Sequence, residues 1–232
     1  MKNEKVANYV KTRNKKLFEQ RFKHFQVFIQ SPLPEHIDIE SVFNEVEYLL
    51  PKHFLNLVDV TYIGAFPFLK ERKINAMYQD GALYISNEQD DAFDIKDDII
   101  HEFAHAIEDK YGDMLYEDEE IQNEYFGKLK KLRNYLSFEG YDIKGINFFN
   151  IKYNQQFDEF LLNDVGYEKL KGFINGLFLA PYSVTSLREY FARGFEEFFL
   201  GDRDYLRSVC PYVFLKVNNL VSNFEEDYEY EI

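Results

Sequence analysis

The chain has 232 residues and carries 41 acidic side chains against 27 basic ones, a formal net charge of −14. That balance excludes a nucleic-acid binder, because the phosphate backbone would be repelled over most of the surface. A 46% hydrophobic content with 24 Phe and 18 Tyr supplies a packed core and excludes a disordered chain. The single cysteine, Cys210, excludes an intramolecular disulfide, and no run approaches the roughly eighteen apolar residues of a membrane span.

In chain order, Phe18, Phe22, Phe25 and Phe28 recur at helical spacing and predict a helix over Val6–Ile29, with a basic, solvated cluster at Lys11–Lys16. No apolar signal region follows Met1, so the expected location is cytoplasmic, with leaderless export left open. Ser31-Pro32-Leu33-Pro34 marks a boundary, and a second helix is expected from Ser41 to Leu50, stopped by Pro51. Val58–Ile63 and Ala82–Ser86 read as strands. An acidic loop, Asn87–Asp94, then suits the start of a helix over Ile95–Tyr111, with Ile95, Ile99, Phe103 and Ile107 at core spacing.

That helix carries His101-Glu102-Phe103-Ala104-His105. Histidines four apart share one helix face, so both imidazoles can reach a single ion, and the glutamate beside the first can handle the proton of a water on that ion. The spacing therefore predicts a zinc site with His101 and His105 as ligands and Glu102 as general base. Helices follow at Glu117–Phe138, at Phe157–Phe178 with a break at Gly166, and at Leu187–Leu200, before an acidic tail at Glu225–Glu231. Asp109 offers a carboxylate to orient an imidazole, against the plainer reading of an exposed helix acid.

Catalytic zinc takes three protein ligands and leaves a position open. No histidine follows His105, and His24, His36 and His53 sit in or beside early helices. A carboxylate on a downstream helix is the better third ligand. Glu189 lies in an aromatic helix, where burying a carboxylate needs a partner. Ser186-x-x-Glu189 equally fits a capping box, so ligand and cap both stand at this point. Glu196, a heptad on, is the alternative ligand.

Taken together, these segments resemble the anthrax-lethal-factor-like zinc metallopeptidases, a family that includes the Pro-Pro endopeptidases. The matching pattern is His101-Glu102-Phe103-Ala104-His105, then Tyr182 seven residues before Glu189, then Glu189-Tyr190-Phe191-Ala192-Arg193-Gly194-Phe195. Cys210–Asn219 is similar to the family's closing helix, and Gly81–Ser86 to its substrate-side edge strand. The resemblance covers about residues 55 to 220. It implies an α+β, zincin-like fold: a small mixed sheet, an HExxH helix and a mainly helical C-terminal part. Its expected divisions are an N-terminal helical segment over 1–30, a subdomain over 31–111 carrying the edge strand and the HExxH helix, and a helical subdomain over 112–232 carrying the third ligand.

The activity implied is zinc-dependent endopeptidase, with one catalytic Zn²⁺ held by His101, His105 and Glu189. Glu102 serves as base and Tyr182 donates to the oxyanion. Leu83, Tyr84 and Ile85 bind a peptide or protein substrate through their backbone, with Leu83 and Ile85 on one side of the sheet and Tyr84 on the other. No nucleic-acid or membrane partner is expected. Two features depart from the family: the long helical stretch between His105 and Glu189, and the missing secretion signal. The first bears on the shape of the substrate cleft; the second leaves room for a regulatory peptidase that cleaves one protein, such as a repressor. An inactive zincin-fold interaction domain is the reading from another class, and retention of Glu102 argues against it.

Overall fold

The computed structural model describes residues 18–223. The basic cluster at Lys11–Lys16, residues 6–17 of the expected first helix and the tail at Glu225–Glu231 lie outside them. The fold is α+β, as the sequence implied, and forms two compact units that divide between Ala106 and Ile107.

The first unit is built on a five-stranded mixed sheet: β1 (Phe18–Arg21), β2 (Gln26–Ile29), β3 (Val60–Gly64), β4 (Ala76–Gln79) and β5 (Ala82–Ser86). The strand order is β1-β2-β3-β5-β4, with β2, β3 and β5 parallel and the two outer strands antiparallel to their neighbours. Residues 18–29 are thus a hairpin, not the end of a helix. The Phe spacing of three and four was real, but the chain reverses after Arg21, where the Phe22 amide donates to the Phe25 carbonyl at 2.9 Å. Phe, Val and Ile then pair well on a pleated, half-buried surface.

Alternation along β3 and β5 sorts the sheet into two faces. Thr61, Ile63, Leu83 and Ile85 are fully buried on one face. On the other, Phe28, Tyr62 and Tyr84 stack in a row across three strands, with ring centroids 5.6 and 5.4 Å apart and planes within 22°. Phe66 and Phe68 meet the Tyr84 ring edge-on. The two-residue turn Asp80-Gly81 joins β4 to β5 with positive φ at both positions. A Cβ on Gly81 would stand 2.8 Å from an Asp59 oxygen, so the turn needs glycine there.

Three short helices complete the connections: α1 (Ile39–Leu49), capped by Asp38, α2 (Lys52–Leu55) and α3 (Pro67–Arg72). The long helix α4 (Ala92–Tyr116) then packs on the sheet, with the Phe103 ring edge-on to Phe25 at 5.9 Å. Ile95, Ile99, Phe103 and Ile107 are all fully buried, as their spacing predicted. The helix starts earlier than expected because Asp91 accepts from the amides of Phe93 and Asp94 at 2.7 and 3.0 Å. It kinks at Tyr111, beside Gly112.

The second unit is helical: α5 (Glu120–Phe138), α6 (Gln155–Glu159) running into a π-turn at Phe160–Val165, α7 (Tyr167–Ile174), a 3₁₀ turn at Tyr182–Val184, α8 (Leu187–Leu200), α9 (Arg203–Val209) and α10 (Pro211–Asn223). The break foreseen at Gly166 is present, with φ at +82°. Its core stacks Tyr125, Phe178 and Tyr190, all buried. A Cβ on Gly194 would meet Val213 at 2.5 Å, so this glycine lets α8 and α10 approach.

At the centre of this unit Lys128 is almost fully buried. Its ammonium donates to the Tyr190 hydroxyl and the Val209 carbonyl at 2.5 Å and to Cys210 Sγ at 3.3 Å. The Tyr190 hydroxyl in turn donates to Glu124 at 2.5 Å, which also accepts from the Tyr212 amide. Burial pushes the Cys210 thiol up, so it stays protonated here. No helix among the described residues is long and apolar enough to cross a membrane.

Candidate metal centre

On α4 the motif delivers the geometry its spacing foretold. The His101 and His105 rings stand 5.1 Å apart and nearly perpendicular, at 87°. Ligand atoms of His101, Glu102 and His105 all lie within 4.8 Å of one another. Glu102 and His105 are buried and His101 is half-buried. Ile99, Ile100, Phe103, Ala104 and Ala106, the residues interleaved with the motif, are almost wholly excluded from solvent and fix the helix face. Three electron-pair donors, two of them imidazoles, are thus gathered in a largely buried setting. Such a group could hold a metal ion, and nitrogen-rich donors suit zinc and its first-row neighbours.

Glu102 Oε2 accepts the backbone amide of Tyr78 at 2.6 Å. In the β4–β5 ladder, Ser86 donates to the Asn75 carbonyl at 2.7 Å, and Met77 and Gln79 stand opposite Tyr84 and Ala82. Inward and outward groups alternate in an antiparallel ladder, so Asn75, Met77 and Gln79 face β5. Ala76 and Tyr78 therefore turn their amides and carbonyls away from β5, to the outer side of the last strand among the described residues, where Glu102 takes one of them. The edge strand was expected at Ala82–Ser86. That expectation is corrected: Leu83, Tyr84 and Ile85 lie on an interior strand paired on both sides, by β3 and β4. The edge is β4, four residues too short to declare itself in the sequence.

One turn before His101, Asp98 holds the side-chain amide of Gln89 at 2.9 Å. Burial lifts its carboxyl to about 6, against the pull of Gln89 and of His101. Neither residue was singled out by the sequence, although an acid three residues ahead of a ligand histidine is a usable signal. Asp109 is more than half exposed, 4.0 Å from Arg188, and fits the plainer of its two readings. The early histidines have other employment. His36 donates to the Asp90 carbonyl at 2.8 Å, His53 stacks edge-on to Phe54, and the His24 amide donates to Glu47 at 2.7 Å.

In the second unit, Tyr182 stands in the 3₁₀ turn with its side chain exposed. Glu189 occupies the first turn of α8, half-buried, and its amide donates to Ser186 Oγ at 3.2 Å. The Ser186 cap foreseen in the sequence is therefore present. Glu196, the alternative ligand, is buried in an ion pair with Arg193. Glu108, unremarked in the sequence, is another acid of α4 drawn largely out of solvent: its side chain is 9% exposed. Burial raises its carboxyl to about 8, while a hydrogen bond from Tyr116 and the nearby Arg188 guanidinium pull it down.

The chain matches no family model, no curated protein and no solved structure.

Proposed function

We propose that the protein is a zinc-dependent metalloendopeptidase. The observation that carries this reading is the gathering of His101, Glu102 and His105 within 4.8 Å, with Glu102 bound to the Tyr78 amide of β4. His101 and His105 hold the ion, and Glu189 is the third ligand on the strength of the family resemblance. Zinc so held supplies Lewis acidity, polarising a peptide carbonyl and lowering the pKa of a water molecule towards neutrality.

Glu102 accepts the proton of the attacking water and delivers it to the leaving amine. The Tyr78 amide holds one of its oxygens at 2.6 Å, which orients the other. An extended peptide pairs along β4, the last strand of the sheet among the described residues, where Ala76 turns an amide and a carbonyl away from β5. Tyr182 donates its phenolic hydrogen as negative charge develops on the carbonyl oxygen.

Zinc content of the natively purified protein and hydrolysis of a quenched-fluorescent peptide library test this together. The expected result is near-stoichiometric zinc, with Glu102→Gln keeping the metal and losing turnover by about 10²–10⁴-fold. A parent that holds no zinc and takes up none on addition would overturn the reading, as would undiminished turnover in Glu102→Gln.

A further inference from the structure

Glu108 has no part in the chemistry above, yet the fold buries it. A buried carboxyl is costly unless its partners are well placed, and apolar replacements for such pairs are often neutral or stabilising. Its partners here are specific. One oxygen accepts the Tyr116 hydroxyl. The other lies 3.6 Å from Arg188 Nε, and Arg188 Nη2 reaches to 4.0 Å from Asp109.

Arg188 is the residue immediately before Glu189. The turn they share is already fastened as a helix start. Ser186 Oγ caps the Glu189 amide at 3.2 Å, and the Leu187 amide donates to the Ile151 carbonyl at 2.9 Å. One turn on, Phe191 lies edge-on to the Tyr116 ring at 6.3 Å. Helix formation needs nothing more. What the Arg188–Glu108 pair adds is a tie at the residue next to Glu189, between the first turn of α8 and the end of α4.

We propose that Arg188 and Glu108 are positioning residues for Glu189, with Tyr116 holding the Glu108 carboxyl in place. The proposal rests on Glu189 being the third zinc ligand. Groups that hold ligand side chains in place commonly change metal affinity by about 10–100-fold when removed.

The test is zinc affinity by competition with a chromogenic chelator, beside the melting temperature of the metal-free protein. Parent, Arg188→Leu, Arg188→Lys, Glu108→Gln, the Arg188→Leu/Glu108→Gln double variant and Glu189→Ala are compared. Arg188→Leu and Glu108→Gln should each weaken zinc binding about tenfold or more, and Glu108→Gln, which leaves no buried carboxyl behind, should do so with a metal-free melting temperature no lower than the parent's. The double variant should be no worse than the singles, and Arg188→Lys should recover part of the loss. Glu189→Ala should lose more than any of them.

Unchanged affinity in Arg188→Leu, with Glu189→Ala strongly weakened, overturns the positioning role and leaves the ligand standing. Unchanged affinity in Glu189→Ala overturns the ligand assignment and this proposal with it. A loss of affinity in Glu108→Gln accompanied by a fall in its metal-free melting temperature marks a merely structural pair, which also overturns it.

Discussion

Two buried polar clusters, one in each unit, use the same kinds of side chain to opposite ends. Around Lys128, a cation is matched by a phenol, a carbonyl, a thiol and the nearby Glu124, so donors meet acceptors inside the protein. Around His101, Glu102 and His105, three lone-pair donors converge within 4.8 Å of one another. The first is a balanced set that closes on itself. The second is a set that could hold a cation. Burial alone does not separate a structural cluster from a functional one; the sign of what converges does.

A double dissociation would break this comparison. His105→Ala should lower zinc affinity more than a hundredfold and leave the metal-free melting temperature near the parent's, since one imidazole ligand is gone. Lys128→Met should do the reverse. It leaves Glu124 buried without its cation and should cost about 3 kcal/mol in urea unfolding, with zinc affinity intact. Equal effects of both variants on both readouts would end the distinction.

Dependence on pH sharpens it further. Glu108 is raised from 4.5 to about 8, so its contribution to stability is fully present below about pH 4.5 and is lost as pH rises through about 8. Asp98, raised from 3.8 to about 6, loses its contribution between those values. The urea midpoint of the metal-free parent should therefore fall relative to Glu108→Gln between pH 6 and 8. A constant difference across that window would contradict the burial argument. The smallest effect belongs to the surface: Lys70→Ala breaks an exposed pair with Glu88 and should change stability by less than about 1 kcal/mol, with zinc binding unmoved.

What the sequence declared, it declared through local chemistry. The helix over Leu187–Leu200 was legible to the residue, because Ser186 caps one end and Gly201 stops the other. The HExxH helix was legible because its core spacing and its ligand spacing are the same period. Phe18, Phe22, Phe25 and Phe28 misled because a three-to-four spacing says nothing of a chain reversal between them. The interior position of Ala82–Ser86 is a property of topology, set by β3 and β4, and its own five residues carry no trace of it. Glu108 and Arg188 meet across eighty positions, and the Tyr78 amide, being backbone, is written in no side chain.

The stacked row of Phe28, Tyr62 and Tyr84 has an optical consequence. The chain contains no tryptophan, so its near-ultraviolet absorption belongs to tyrosine and phenylalanine. Two phenol rings 5.4 Å apart and nearly parallel couple their transitions. The near-ultraviolet circular dichroism of the protein should carry a contribution from this pair that is lost in Tyr84→Phe, beside the one the Tyr125–Tyr190 pair makes in the second unit.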